Sequence, residues 1–317
     1  MNNIPKHFHY VWFSNDPKEL TYLQFFSIIS THHFHPDYKI NLFTDNGFYG
    51  ELWDKVSNFV NVYNIERPKI DALGVDYSKF IVYSDISRHL IIKEYGGIYC
   101  DLDIVWKKPI TSLIESLVSN SKNGIYALGA QGKNACEGIN IGVLIAEKDN
   151  NFVDAYLNTY KDYSKYVKSS SDHITYYSNH IIYNLIKQNP DLGTILDYNL
   201  FHWPLYHVTK NWFLMGDKHP ELIDGPKFNK YGGGYWSNEN LDEGFAHHCF
   251  FINDRLKDNA ISINAFSEDK YQKDIKIDPS NIRAGQYNYD IKMTVKEFIQ
   301  NINSPFTQLC KPLLKYL

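Results

Sequence analysis

The sequence predicts an α/β fold built on a mainly parallel sheet with helices on its faces. Three observations carry that prediction. Short apolar runs alternate with longer helical patterns through the first hundred residues, as in successive strand–helix–strand units. Hydrophobic residues make up 44% of the 317, enough to bury a substantial core and to exclude global disorder. No internal repeat, low-complexity tract or linker divides the chain. Residues 1–317 therefore read as a single domain with helical insertions and a C-terminal helical extension over about 270–317.

The elements follow in order. Residues 7–13 form an apolar-aromatic run that predicts a strand. Residues 18–34 suit a helix, with Leu20, Leu23, Phe26 and Ile28 among its apolar positions. A second strand, 38–44, closes on the turn signal Asp45-Asn46-Gly47. A short helix is expected at 51–57 and a third strand at 59–65. A long helix spans 76–95, capped by Asp76 and stopped by Gly96-Gly97, and leads into a fourth strand at 98–104. Beyond it the pattern predicts strands at 124–130, 139–146 and 245–252. Helices are expected at 152–166, 173–188 and 294–303, with Pro305 ending the last.

Composition narrows the chemistry. The net charge is −4 and no lysine or arginine run stands out, which argues against a nucleic-acid partner. Cys100, Cys136, Cys249 and Cys310 are scattered, without zinc spacing, and fit free thiols in a reducing compartment. No signal-peptide pattern and no apolar run of spanning length is visible, so a cytoplasmic protein is expected. Membrane contact is at most peripheral: 294–303 and Lys311-Pro-Leu-Leu-Lys315 fit either a membrane surface or, as the default, core packing. Aromatics reach 16%, which fits either a Tyr-rich core or stacking on sugars and bases.

The residues of chemical interest lie between Ser84 and Trp106. Asp101 and Asp103, two apart on the predicted strand, share a face with Tyr99 near the strand's carboxyl end. Two carboxylates held together repel unless a cation joins them, and Mg²⁺ or Mn²⁺ takes such oxygen ligands while bridging to a diphosphate. A D-x-D by itself fits two solvated acids at a strand end as well. On the preceding helix, Ile81, Asp85, Arg88 and Ile92 lie on one face. An acid and a guanidinium at the centre of a burying face are either a structural ion pair or ligand contacts, Asp85 to sugar hydroxyls and Arg88 to sugar or phosphate.

Ser84-Asp-Ile-Ser-Arg88 followed by Tyr95-Gly-Gly-Ile-Tyr-Cys-Asp-Leu-Asp103 closely resembles the core motif of glycosyltransferase family 32, the DXD sugar-binding group. That group takes in yeast mannosyltransferases, bacterial capsule and lipo-oligosaccharide transferases and, distantly, the clostridial glucosylating toxins. Ile4-Pro-Lys-His-Phe-His-Tyr-Val-Trp12, Asn41-Leu-Phe-Thr-Asp45, the run Glu137–Ala146 and Ala246-His-His248 resemble further family elements.

The resemblance implies a GT-A fold: a Rossmann-like, nucleotide-binding mixed sheet flanked by helices, with the D-x-D at its switch region. It implies a retaining transferase with a divalent ion, usually Mn²⁺ and otherwise Mg²⁺. The donor is a nucleotide-sugar, UDP-linked hexose or N-acetylhexosamine ahead of GDP-mannose; the acceptor is a glycan, glycolipid or protein hydroxyl, as in polysaccharide biosynthesis. Carried over by position, Trp12 stacks on or edges the base, Asp85 and Arg88 hold the donor sugar, Tyr99 flanks it and Asn140 touches donor or acceptor. Asp101 and Asp103 bind metal, with Asp101 also reaching the ribose, and Asp101, Asp103 and Arg88 form the catalytic set. Of two neighbouring histidines on a strand only one can face the metal, and His247 is the expected one.

After His248 the chain departs from the family, since Cys-Phe-Phe-Ile stands where Ser-Trp is expected. Gly232-Gly-Gly234 with Tyr235 and Trp236 fits a lid, an acceptor platform or a plain surface turn. Two rival classes remain. A haloacid-dehalogenase-like phosphatase also uses D-x-D but lacks the upstream S-D-x-x-R helix. A non-catalytic sugar-binding module would more often be all-β.

Overall fold

The computed structural model describes residues 3–67, 80–120, 125–130, 139–167, 173–197, 200–201, 244–249, 260–262, 292–301 and 305–317. The expected Asp76 cap and the Gly232–Gly234 loop lie outside them.

Strand β1 (His7–Trp12) sends Phe8 and Tyr10 into one core cluster and Val11 into another, because successive side chains alternate and helices cover both faces of the sheet. Helix α1 (Tyr22–Phe34) starts four residues later than expected. Thr21 caps it in a reciprocal box, its hydroxyl accepting the Gln24 N–H at 3.3 Å while the Gln24 side chain accepts the Thr21 N–H at 3.0 Å. The residues ahead of that cap form a small strand, β2 (Lys18–Glu19), rather than a helical turn. Strand β3 (Lys39–Thr44) follows, then β4 (Phe48–Tyr49), which pairs with β2, then α2 (Glu51–Val56) and β5 (Val60–Asn64).

Helix α3 (Phe80–Tyr95) turns into β6 (Gly97–Cys100) through Gly96 and Gly97 at φ of +61° and +95°. A Cβ on Gly97 would stand 2.6 Å from the His7 carbonyl, so only glycine permits this approach. The predicted strand 98–104 is two elements: β6 stops at Cys100, residues 101–103 form a turn, and β7 (Ile104–Trp106) leaves the main sheet. Next come α4 (Thr111–Asn120), β8 (Tyr126–Ala130), β9 (Ile139–Ala146), α5 (Asn151–Asn158) and α6 (Tyr163–Tyr166). A π-helix (His173–Ile181) runs into α7 (Ile182–Gln188), ahead of β10 (Thr194–Leu196) and β11 (Ala246–His248). The described chain ends with an antiparallel strand pair, β12 (Ala260–Ser262) and β13 (Lys292–Thr294), then α8 (Val295–Asn301), α9 (Pro305–Cys310) and a 3₁₀ turn (Lys311–Tyr316). Pro305 opens α9 instead of closing a helix, because a first-turn position asks for no N–H donor.

Among the described residues seven strands form the main sheet in the order β10-β8-β9-β6-β1-β3-β5. Pairs β1–β3, β3–β5, β1–β6 and β8–β10 are parallel, and β9 runs antiparallel to β6 and β8. The fold is thus the expected α/β class, a mixed sheet flanked by helices. The chain builds outward from β1 to β5 and then returns to the opposite side of β1 for β6. Such a reversal opens a crevice beyond the carboxyl ends of the strands, and here Trp12 and Asp101 stand at that end. Among the described residues no helix is long and apolar enough to cross a membrane.

Three buried histidines are wired as neutral rings. His9 donates through Nε2 to the Gly96 carbonyl at 2.8 Å. His35 accepts the Ile110 N–H at Nε2 (3.1 Å), and His89 accepts the Tyr126 hydroxyl at Nε2 (3.0 Å) while Nδ1 donates to the Asp85 carbonyl (2.6 Å). Burial is the largest cause that lowers each pKa, to about 4. A lowered folded pKa means that the unfolded chain takes the proton first. Stability is therefore complete above the ordinary histidine pKa of about 6.5 and is lost as the pH falls from there toward 4, by about 1.4 kcal/mol per pH unit for each ring. The urea midpoint is expected to fall clearly between pH 7.5 and 5; an unchanged midpoint would contradict this wiring.

Candidate active site

The site is built around Arg88. Helix α3 holds Asp85 and Arg88 on its buried side, 2% and 6% exposed. Ile92 shares that side, whereas Ile81 stands at the exposed end of the helix, contrary to the expected four-residue face. Protein acceptors engage all three guanidinium nitrogens. Nε reaches the Ser84 carbonyl at 3.3 Å. Nη1 reaches the Ile141 carbonyl at 2.9 Å and Asp101 Oδ1 at 3.3 Å. Nη2 reaches Ser84 Oγ at 3.1 Å and Asp85 Oδ1 at 3.0 Å. The guanidinium carbon also lies 4.7 Å from the centre of the Tyr99 ring. Arg88 ties helix α3 to β9 and to the turn after β6, and burial against it is offset by the charges of Asp101 and Asp85, which raise its pKa.

Asp85 accepts from His173 Nε2 at 2.9 Å and Ser178 Oγ at 2.5 Å on its other oxygen. Burial would raise its pKa, but Arg88, His173 and Ser178 together hold it below the ordinary carboxylate value. A carboxylate offers about four acceptor sites. His173 and Ser178 occupy two on Oδ2 and Arg88 ion-pairs with Oδ1, which keeps acceptor capacity on Oδ1.

Asp101 and Asp103 are brought together by a turn, not by alternation along a strand. The Asp101 N–H remains bonded to the Gly142 carbonyl of β9 at 2.8 Å, and the Asp103 carbonyl accepts the Cys249 N–H at 2.8 Å. The chain thus crosses from one sheet to another between the two acids. Tyr99 donates to Asp101 Oδ1 at 2.5 Å. Burial raises the Asp101 pKa, with Arg88 pulling against it and Asp103 pushing with it.

Strand β11 pairs antiparallel with β7 and sets His248 against Ile104. The histidine that reaches the carboxylates is accordingly His248, not the expected His247, which lies on the opposite face of β11 opposite Val105 and is 4% exposed. His248 Nε2 lies 3.2 Å from Asp103 Oδ1. Burial works to lower its pKa, and the two acids override it, so the net shift is upward. One ligand atom from each of Asp101, Asp103 and His248 lies within 4.8 Å of the others. Asp103 Oδ1 is buried and, among the described residues, accepts no well-aligned hydrogen bond.

Asn140 joins this group. Its Oδ1 accepts the Gly142 N–H at 2.7 Å and its Nδ2 lies 3.3 Å from His248 Nδ1. Trp12 stands at the end of β1, its indole 5.3 Å from the Phe48 ring and its buried Nε1 meeting no acceptor among the described residues. Asp85, Arg88, Tyr99, Asp101, Asp103 and Asn140 therefore form one connected cluster, while Trp12 sits apart from it at the same end of the sheet. Sequence reading passed over His173 and Ser178. They are five apart, a spacing that no α-helical face shares.

The model of the family described as "Glycosyltransferase sugar-binding region containing DXD motif" matches residues 24–122, from the start of α1 through the D-x-D turn to the end of α4. The chain is 24% identical over 163 residues to "Glucan organizing enzyme 1" of Cryptococcus neoformans var. grubii serotype A, covering 50% of this chain and 41% of that protein. It is 31% identical over 118 residues to "Inositol phosphoceramide mannosyltransferase 1" of Schizosaccharomyces pombe, covering 36% of this chain and 32% of that protein. The chain thus spans less than half the length of these curated relatives. Among solved structures it is similar to "PaToxG Glycosyltransferase" at 18% identity and a TM-score of 0.44, over 60% of this chain and 71% of that one.

Proposed function

We propose that this chain, which through residues 24–122 belongs to the glycosyltransferase sugar-binding family containing the DXD motif, is a metal-dependent, retaining glycosyltransferase. Its donor is a nucleotide-sugar carrying a hexose or N-acetylhexosamine, UDP-linked by preference, and its acceptor is a glycan, glycolipid or protein hydroxyl. The S. pombe relative is by name a mannosyltransferase, which keeps GDP-mannose beside the UDP-sugars. The observation that carries the reading is the convergence of Asp85, Arg88, Tyr99, Asp101 and Asp103 at the switch-point end of the sheet.

The residues present fit a divalent cation. Asp103 Oδ1 is buried with the His248 ring nitrogen 3.2 Å away as an imperfectly aligned partner, and Asp101 and His248 aim further ligand atoms at the same small volume. Two carboxylates and an imidazole suit Mn²⁺ better than Mg²⁺, which favours oxygen and water. When bound, the ion supplies Lewis-acid stabilisation of the charge that grows on the leaving diphosphate.

The chain's own groups do the rest. The remaining acceptor capacity of Asp85 takes a donor-sugar hydroxyl. Arg88 is engaged by the protein through all three of its nitrogens, so it acts by fixing Asp85 and Asp101 and by adding positive charge to the site. The Trp12 indole, backed by Phe48, offers an edge to the base. The carboxylates of the cluster are held by Arg88, His173, Tyr99 or His248. That engagement favours same-face attack by the acceptor hydroxyl, through an oxocarbenium-like state, over a covalent glycosyl intermediate.

Gly142 lies directly against Asp101 and Asn140: a Cβ there would meet Asn140 Oδ1 at 2.9 Å and Asp101 Oδ2 at 3.0 Å. Gly142→Ala is expected to weaken Mn²⁺ binding and turnover by about 10–100-fold, the scale of displaced metal-supporting groups. Calorimetric Mn²⁺ titration checks it, and wild-type affinity would remove Gly142 from the account.

The reading is tested by following donor hydrolysis by NMR with UDP-Glc, UDP-Gal, UDP-GlcNAc and GDP-mannose. One donor is expected to be consumed, with the first-formed sugar keeping the donor's anomeric configuration. Inversion would refute retention, and no consumption by folded protein would refute the transferase assignment.

A further inference from the structure

We propose that the π-helix His173–Ile181 is the positioning element of the donor-sugar site, with His173 and Ser178 fixing the Asp85 carboxylate. The inference rests on the transferase reading above and adds residues to it that neither the D-x-D nor the S-D-x-x-R motif contains.

Asp85 hangs from α3 by two rotatable side-chain bonds, and α3 supplies it with one partner, Arg88, on Oδ1. Nothing on that helix restrains Oδ2. The two donors that do so come from one segment, His173 Nε2 at 2.9 Å and Ser178 Oγ at 2.5 Å, and His173 is fully buried with Ser178 8% exposed. An ionised carboxylate only accepts, so His173 Nε2 must be the protonated ring nitrogen. Tyr163 secures that arrangement from behind. Its hydroxyl lies 2.9 Å from His173 Nδ1, and burial first, then the Asp85 charge, push its pKa up to about 12, so the hydroxyl stays protonated and can donate.

The helix type makes this contact possible. Residues five apart stand about 140° apart around an α-helix of 3.6 residues per turn, and two such side chains could not reach one oxygen. The i→i+5 repeat of a π-helix brings them to the same side. The next residue, Asn179, uses the same segment to accept the Ile139 N–H at 2.7 Å, one residue before Asn140. One irregular element thus locates both the Asp85 arm and the Asn140 arm of the cluster.

The experiment measures nucleotide release from UDP- and GDP-sugars with Mn²⁺ by the full chain carrying Ser178→Ala, His173→Leu or His173→Gln. Ser178→Ala and His173→Leu are also combined with Asp85→Asn. Ser178→Ala and His173→Leu are expected to lower kcat about tenfold or more, the scale of a hydrogen bond to a charged group, with donor KM changed only a few-fold. His173→Gln, which keeps a side-chain N–H, is expected to recover most of the rate. In Asp85→Asn, the same changes are expected to add little further loss, because the group they act through is gone. Thermal midpoints record folding, and Ser178→Ala stands on its own if His173→Leu does not fold. Unchanged kcat in Ser178→Ala, or full additivity with Asp85→Asn, would overturn the proposal. Wild-type protein that releases nothing from any donor would overturn the transferase reading and this inference with it, an outcome the wild-type control alone identifies.

Discussion

Exchange of Asp103 for Asn is expected to slow nucleotide release by about 10²–10³-fold while leaving the fold in place. The expected loss is that of one electrostatic group aimed at developing charge, about 2.7–4 kcal/mol. The fold should survive because the main-chain ties of this residue, such as the Cys249 N–H to the Asp103 carbonyl, do not involve the side chain. Asn keeps the shape but replaces a buried carboxylate oxygen with a neutral amide, and two like charges no longer face each other across the turn. Turnover and Mn²⁺ affinity should therefore fall together, with a thermal midpoint equal to or above that of the wild type. Steady-state kinetics with electron paramagnetic resonance of free Mn²⁺ reads both quantities. A variant that keeps more than about a third of wild-type turnover would remove Asp103 from the chemistry.

Arg88→Met should instead be felt in stability. The guanidinium meets acceptors on α3, β9 and the D-x-D turn, and its loss leaves Asp85 charged at 2% exposure. Removing one partner of a buried ion pair costs about 3–5 kcal/mol. Urea unfolding is expected to show a loss of that size. Arg88→Met combined with Asp85→Asn should cost less than the two single losses added, because the stranded charge has gone. A single-variant loss below about 1 kcal/mol would show that Arg88 is not the tie described here.

Much of this was legible in the sequence because it depends on local pattern. The alternation of apolar runs marked β1, β3 and β5, and Gly96-Gly97 marked the stop of α3, since both signals need only neighbouring residues. The D-x-D and the S-D-x-x-R helix were legible as a pair, and Arg88 does bridge Asp85 to Asp101. What failed depended on tertiary contacts. The strand 98–104 was broken because Asp101 stays bonded to Gly142 in the main sheet while Asp103 pairs with Cys249 beside β7 and β11, which no local rule registers. His248 displaced His247 because the face of β11 is fixed by its register with β7. His173 and Ser178 were missed because an α-helical period was assumed where the chain takes a π-helix. Thr21 was readable in principle, since Thr21-x-x-Gln24 is a capping-box pattern, and it would have placed the start of α1 correctly.

The measurement that tests the central claim most directly is release of nucleoside diphosphate by the wild-type chain from a panel of UDP- and GDP-sugars, first with Mn²⁺, then with chelator, then with Mn²⁺ restored. The account predicts release from one donor that stops on chelation and returns with the ion. Folded protein that releases no nucleotide from any donor, or releases it equally with and without the ion, would contradict it.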